Sequence, residues 1–400
     1  MSDGKYNFHS HTYRCGHASS LPDESYLIVA KRLGYSKYGV TDHVPVHPIF
    51  FGDKEVRMHD NEFLEYLESI YSLKQKYAGE LEVFCGFEAE YDEIIEEYLC
   101  DLKDKCDYMI LGQHYVLNRD IRNTPEYPIE YAKKVCRAIE SGIFDIVAHP
   151  DIFMQYRFNM KIDEKKDLFY DNALKASRMI CECAKEWGVA LEINLGATYA
   201  KEDELVLVDG KPLMDLTPEE KAIYYCSKSR YPTDLFWEIV KEVGNDVVVG
   251  VDAHQPKDIY EVKERLEKIG MFIDLDSLHF LPDSYDPVKY RNNNEKLCLA
   301  YEKTRSNTSS VEGRLIESAF NNLDGDNTER INIILDYLKN PPKRKLEIDD
   351  NITIDRRNEL IDVIKNSVKD ISSDIDSSEY IDILKNDIDN YYTKEVKRRK

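Results

Sequence analysis

YNFHSH, residues 6–11, is a short apolar run that closes on two histidines two positions apart. In an extended strand residues i and i+2 point to one side, so His9 and His11 can face a common point. The pattern recurs along the chain. YGVTDH (38–43), LEVFCGFEAE (81–90), YMILGQH (108–114), DIVAHP (145–150), ALEIN (190–194) and VVVGVDAH (247–254) are also apolar runs that end in histidine, carboxylate or amide. Eight of the ten histidines lie within or near these endings or, like His17, in the loop after the first. Short runs rich in Val, Ile, Phe and Tyr read as strands. Between them lie stretches of helical period, at Pro22–Leu33, Asn61–Tyr77, Ile94–Lys103, Ile129–Ser141, Asp167–Trp187 and Leu235–Val243. Strand–helix alternation at this spacing predicts a parallel sheet with helical crossovers. Polar residues at the end of all seven strands predict a closed or nearly closed barrel, with its site at that rim. An open doubly wound sheet would draw side chains from only a few strands.

Four hundred residues suffice for one α/β domain of about 250 residues and something smaller. The net charge of -22 disfavours nucleic acid and anionic lipid as partners. Residues 301–400 contribute only about -3 of it, so the acidity sits with the strand–helix part. Nine scattered cysteines without a C-x-x-C pair imply neither a disulfide framework nor a zinc knuckle. There is no signal peptide and no apolar run near 18 residues, which reads as a cytoplasmic protein without a membrane partner. The expected domains are a barrel over 1–290 and an all-α extension over 301–400. The extension shows stripes at Val311, Leu315, Phe320, at Ile331, Ile334, Leu335, Leu338, at Leu360, Ile364, Val368, Ile371, and at Ile381, Leu384, Ile388, Tyr391. Pro341 and Pro342 interrupt it. Such helices could recruit a protein partner, build an oligomer or cap a pocket.

Histidine is the commonest transition-metal ligand, and its gathering at strand ends predicts one polynuclear metal site. The candidates are His9, His11, His17, His43, Glu88, His114, His149, Asp252 and His254. Asp42 is either a ligand or an acceptor that fixes a histidine tautomer. Glu88 can bridge two cations, which a neutral imidazole cannot, and Glu90 points the same way if its strand continues. Arg157 and Arg230 are candidate cations for an anionic substrate beside the metals. Asn194 is expected to line the pocket and Glu192 to be a structural carboxylate. His47 and His59 lie in the long loop after the second strand, and His279 falls after the barrel.

The motifs resemble the PHP (polymerase and histidinol phosphatase) superfamily of metal-dependent phosphoesterases. HSH at 9–11, TDH at 41–43 with GFE at 86–88, AHP at 148–150 and DAH at 252–254 carry the resemblance. The monofunctional histidinol-phosphatase branch is more similar still, through HSHTYRCGHAS, GVTDHVP, GFEAEY, GQHY, VAHPD, LEINLGA and YPTDLFWEIV…VVVGVDAHQP, in order over about residues 5–275. The resemblance implies a distorted (β/α)7 TIM-like barrel and two to three divalent transition-metal ions (Zn, Mn or Fe). It implies a first ion held by His9, His11, Glu88 and Asp252. A second would share Glu88 with His114 and His149, and a third would sit on His17, His43 and His254. Glu88, Asp252 and His254 would carry the catalysis. The implied reaction is hydrolysis of a small phosphomonoester, with L-histidinol phosphate the best single guess. Two cations sharing a water would lower its pKa and furnish hydroxide for in-line attack. The alternative is a PHP-type phosphoesterase or nuclease acting on nucleotides or nucleic-acid ends. In that case the C-terminal region would recruit a partner, since the resemblance accounts for nothing beyond the barrel. The acidity favours the small substrate.

Overall fold

The computed structural model describes residues 6–45, 56–59, 62–114, 116, 120–197, 206–208 and 210–307. His47 and the helical stripes between 311 and 391 lie outside the described residues. The strands are β1 (Tyr6–Asn7), β2 (Lys37–His43), β3 (Glu82–Ala89), β4 (Tyr108–Leu111), β5 (Ile146–Val147), β6 (Ala190–Asn194), β7 (Leu207–Val208), β8 (Lys211–Pro212), β9 (Asp246–Gly250) and β10 (His279–Phe280). Eight of them form one sheet in the order β1-β2-β3-β4-β5-β6-β9-β10. All its pairings are parallel. β7 and β8 form a separate antiparallel ribbon.

The sheet closes on itself at the strand C-termini. A parallel bridge joins Ser10 to Ala253. His11 N donates to Ala253 O at 2.8 Å, and Ala253 N donates to His9 O at 3.3 Å. At the other end β10 borders β9, and Tyr6 Oη donates to Leu281 O at 3.0 Å. The result is a distorted barrel whose closing edge splits to admit an eighth strand. The sequence reading counts seven strands and places His279 after the barrel; His279 instead opens β10. A two-residue strand has no periodicity to betray it.

The helices that follow the strands are amphipathic and sit outside the sheet. Tyr127–Glu140 buries Tyr127, Tyr131, Val135 and Ile139, and Asp234–Val243 buries Phe236, Trp237, Ile239 and Val240. Asp163–Trp187 ends at Gly188 with φ 62°, a left-handed conformation that glycine adopts without a Cβ penalty. Inside the barrel Phe8, Phe84, Tyr108, Ile110, Ile146, Val248, Leu281 and Tyr285 share one core cluster. Each such side chain contributes roughly 1.5–3 kcal/mol of burial. Tyr108 can lie flat against the neighbouring strands because Gly39 and Gly86 present no Cβ, and its hydroxyl donates to Phe8 O at 2.8 Å. The helix Glu295–Asn307 also belongs to this unit. Leu297 is buried, Tyr301 Oη donates to Cys100 O at 3.1 Å, and Arg305 pairs with Asp101 at 3.0 Å. Barrel packing therefore runs to Asn307, past the boundary expected at 290. Among the described residues no helix is long and apolar enough to cross a membrane.

Candidate metal centre

The rim that the closure creates collects all nine expected ligands. Glu88, next to last in β3, lies at the middle. Its Oε2 is 3.6 Å from His9 Nε2, 3.4 Å from His11 Nε2 and 3.0 Å from His43 Nδ1. Its Oε1 is 2.8 Å from His149 Nε2 and 3.7 Å from His114 Nε2. Asp252 Oδ1 lies 3.0 Å from His11 Nε2 and 3.4 Å from His9 Nε2. His17 Nε2 and His254 Nε2 approach to 2.8 Å. The donor atoms of His9, His11 and Asp252, of His9, Glu88 and His149, and of His17, His43 and His254 each fall within 4.8 Å of one another, as cation ligands would.

Local backbone makes this convergence possible. A Cβ at Gly112 would overlap the Glu88 carboxylate, so the glycine on the adjoining chain leaves the space that Glu88 fills. His149 and Asp252 adopt φ of 30° and 51°, a region that costs a non-glycine residue about 1–3 kcal/mol. Both are candidate ligands two residues past a strand, His149 after β5 and Asp252 after β9. The strain turns each side chain into the rim instead of along the strand.

A buried oxygen fixes the far nitrogen of most rings. His9 Nδ1 donates to Glu192, with both oxygens within 3.0 Å. His114 Nδ1 donates to Glu90 Oε1 at 2.9 Å, and Glu90 is itself paired with Arg57. His17 Nδ1 donates to Cys15 O at 3.1 Å, and His254 Nδ1 to Asp252 O at 3.0 Å. Asp42 Oδ1 lies 3.6 Å from His11 Nδ1, and Asp42 also accepts from Thr12 Oγ1 and, at 2.8 Å, from His43 N. His11 Nδ1 itself makes no hydrogen bond, so Asp42 holds the backbone of His43 and leaves the His11 ring unfixed. Protons held on Nδ1 leave Nε2 lone pairs pointing inward. His9 and His11 then oppose Nε2 to Nε2 at 3.2 Å, and His17 and His254 at 2.8 Å. Facing lone pairs repel unless a proton or a cation lies between them. Glu88 Oε2 and His43 Nδ1 are buried and make no hydrogen bond. A buried carboxylate oxygen left this way is costly, and a cation satisfies it. The residues present fit bound divalent metal.

The electrostatics agree. Burial alone would raise Glu88 and Asp252, yet surrounding imidazoles hold both well below the usual carboxylate range: His43, His9 and His114 for Glu88, and His9, His11 and His254 for Asp252. Burial opposes protonation of His9, but Glu192, Asp252 and Glu88 lift it well above the ordinary histidine value. His11 is pushed up to about 9 against its burial by Asp252, Asp42 and Glu88. His43 falls to about 4 and His254 to about 3, from burial and, next, the neighbouring His11 charge. Without a cation, protons on His9 and His11 balance the carboxylates. Metal binding must displace them.

The expected substrate residues fare differently. Arg157 is buried, and its guanidinium donates to Met154 O at 2.9 Å, to Arg230 O at 3.3 Å and to Ser229 O. Those donors serve the backbone of residues 154, 229 and 230. Asn194 is buried. Its amide donates to Glu192 at 2.8 Å and Asp252 at 3.3 Å and accepts from Gly196 N at 2.7 Å, tying two carboxylates together. Arg230 is exposed. His59 is exposed, with its backbone N on Glu62. Two residues near the rim escaped the sequence reading. Arg57 has no local signal, and Tyr231 comes within 5.8 Å of His149, ring to ring. The rim grades from buried to open: His9, Glu88 and His149 are about 1% exposed, whereas the side chains of His114 and His254 are 29% and 28% exposed. With His17 also exposed, a ligand would enter over the open residues of the rim, His17, His114 and His254.

Over part of its length the chain is similar to known proteins. Residues 7–195 match the PHP domain. A Deinococcus radiodurans protein named "Probable histidinol-phosphatase" is 32% identical over 163 residues, covering 37% of this chain and 61% of the relative. The Bacillus subtilis histidinol-phosphatase is 29% identical over 119 residues, covering 28% of this chain and 44% of the relative. The chain thus spans less than two thirds of the curated relatives it matches. Among solved structures, the histidinol phosphate phosphatase of Lactococcus lactis, complexed with zinc, L-histidinol and phosphate, superposes with a TM-score of 0.45 at 17% identity. That superposition covers 69% of this chain and 95% of the other.

Proposed function

We propose that this chain, which carries a PHP domain over residues 7–195, is a metal-dependent phosphoesterase that hydrolyses a small phosphomonoester, with L-histidinol phosphate the best single substrate. One observation carries the reading: eight ligand-type side chains gather at one rim with Glu88, and most of the rings have their far nitrogen held by an oxygen. Such second contacts are what metal-binding histidines need. His9, His11, Glu88 and Asp252 would hold one divalent ion, Glu88, His114 and His149 a second, and His17, His43 and His254 a third. The donor set of imidazole and carboxylate suits Zn, Mn or Fe. When bound, such ions supply Lewis acidity, lowering the pKa of water and neutralising phosphate charge. The named relatives support histidinol phosphate as the substrate.

The chain's own residues do the rest. Glu192, Glu90 and the Cys15 and Asp252 carbonyls lock the imidazoles, so no reorganisation is needed as charge develops on the phosphoryl group. Asn194 holds Asp252 on one oxygen while the other faces His9 and His11. Asp252, ionised and with His254 beside it at the open side, would take a proton from the attacking water and return it to the leaving oxygen. Arg230 is the exposed cation that could meet the phosphate; Arg157 supports it from behind through its backbone.

The test is a substrate panel with manganese or zinc added: histidinol phosphate, simple sugar phosphates, mononucleotides and short single-stranded DNA. Highest kcat/KM on histidinol phosphate is expected. Turnover of the DNA or nucleotides alone would overturn the substrate, and no turnover with any metal would overturn the activity.

A further inference from the structure

The segment that follows His149 grips a second loop at both ends. Residues 229–233 connect the helix Pro218–Lys228 to the helix Asp234–Val243. At the near end, Arg157 Nη1 donates to Arg230 O at 3.3 Å and Nη2 donates to Ser229 O. At the far end, Asp151 Oδ2 accepts from Thr233 N at 2.6 Å and from Thr233 Oγ1 at 2.8 Å. Thr233 heads its helix without a side-chain cap bond, and its hydroxyl donates to Asp151. Asp151 and Arg157 are both buried, at 1% and 8% exposure. Both come from the turn and short 3-10 helix that leave His149, so loop and ligand are fixed to one frame. Between the two grips stands half-buried Tyr231, its ring centroid 5.8 Å from that of His149, which itself lies 2.8 Å from Glu88.

Building on the phosphoesterase reading, we infer that Tyr231 is a substrate-contacting residue beside the Glu88–His149–His114 part of the rim, and that Arg157 and Asp151 are positioning residues that hold it there. A planar guanidinium with several donors suits the near grip, because it can bind adjacent carbonyls at once with little loss of side-chain freedom. A carboxylate accepting both an N–H and an O–H suits the far one, since charged hydrogen bonds are the stronger kind. Anchored on both sides, the tyrosine presents its ring to a phosphomonoester without having to be ordered by it. Small misplacements of such groups lower turnover efficiency about a hundredfold in unfavourable cases.

The test uses the full-length, metal-loaded protein and a double-mutant cycle of Tyr231→Ala and Arg157→Met, read on the best substrate of the panel and on inorganic phosphate binding by calorimetry. Each single variant should raise KM about tenfold or more, with kcat less affected and metal content unchanged. The double variant should lose less than the two single losses combined, because Arg157 acts in part through Tyr231 and in part through Arg230. Arg157→Lys should recover part of the loss. If Arg157→Met does not fold, Thr233→Val, which removes one far-end bond, replaces it in the cycle. Unchanged KM in Tyr231→Ala, or additive losses in the double variant, would overturn the inference. A wild type that hydrolyses no phosphomonoester would refute the phosphoesterase reading separately, and phosphate calorimetry would then still decide the role of Tyr231.

Discussion

Glu192→Gln perturbs the metal centre without touching a metal ligand. Glu192 is buried, holds His9 Nδ1 with oxygens at 2.9 and 3.0 Å, and takes a third bond from Asn194 at 2.8 Å. Glutamine keeps the shape and one acceptor but loses the charge. A hydrogen bond to a charged group is worth about 1.5–3 kcal/mol against about 0.5–1.5 for a neutral one. The difference of roughly 1–1.5 kcal/mol corresponds to about a tenfold loss of affinity. Glu192→Ala also frees the His9 ring and the Asn194 amide, and should reach about a hundredfold, the upper end for such contacts. Gly250→Ala offers an independent route, because a Cβ there would overlap the Glu192 carboxylate and push it from His9. The assay is competition for zinc or manganese against a chromophoric chelator, with circular dichroism to show that the fold persists. Undiminished affinity in the alanine variant, with the fold intact, would refute the claim that Glu192 organises His9 as a ligand.

Glu88→Ala removes the carboxylate that two of the proposed ion sites share, and His254→Ala opens the third; both should lower phosphatase activity to background with an unchanged circular dichroism spectrum, and retained turnover would discount the site. Metal affinity should rise with pH. His9 and His11 have raised folded-state pKa values, about 9 for His11, so between about pH 6 and pH 8 each bound metal displaces protons and gains up to about tenfold per pH unit for each proton released. In the metal-free protein the same protons stabilise the fold below the ordinary histidine pKa, and that stability is lost as pH rises through the folded value, which thermal melts from about pH 6 to pH 9 will show. A chain ending at Asn307 should keep its metals and its melting temperature. One ending at Asn294 gives up the burial of Leu297 and the Tyr301 and Arg305 contacts, and should melt roughly 5–10 °C lower.

Much of the barrel and rim was legible because the signal there is local. His9 and His11, and Asp252 and His254, sit two residues apart at strand ends. Glu88 follows a clear apolar run with Gly86 inside it. Strand polarity alone then brings them to one rim. β10 was not legible, because two residues carry no period. The bonding of Arg157 and Asn194 was not legible for another reason. Sequence exposes a residue's type and its loop, but not whether its donors are already spent, as Arg157's are on carbonyls about 70 positions away. Arg57 and Tyr231 are hidden in the same way: pairing of Arg57 with Glu90, and of Tyr231 with His149, is decided only when distant loops fold over the rim.

The central claim is that this rim binds a cluster of divalent ions around Glu88, and elemental analysis of the protein purified without chelators tests it most directly. Two to three equivalents of zinc, manganese or iron per chain are expected, falling by at least one in Glu88→Ala. A wild type with no bound transition metal, whose phosphatase activity no added metal restores, would contradict it.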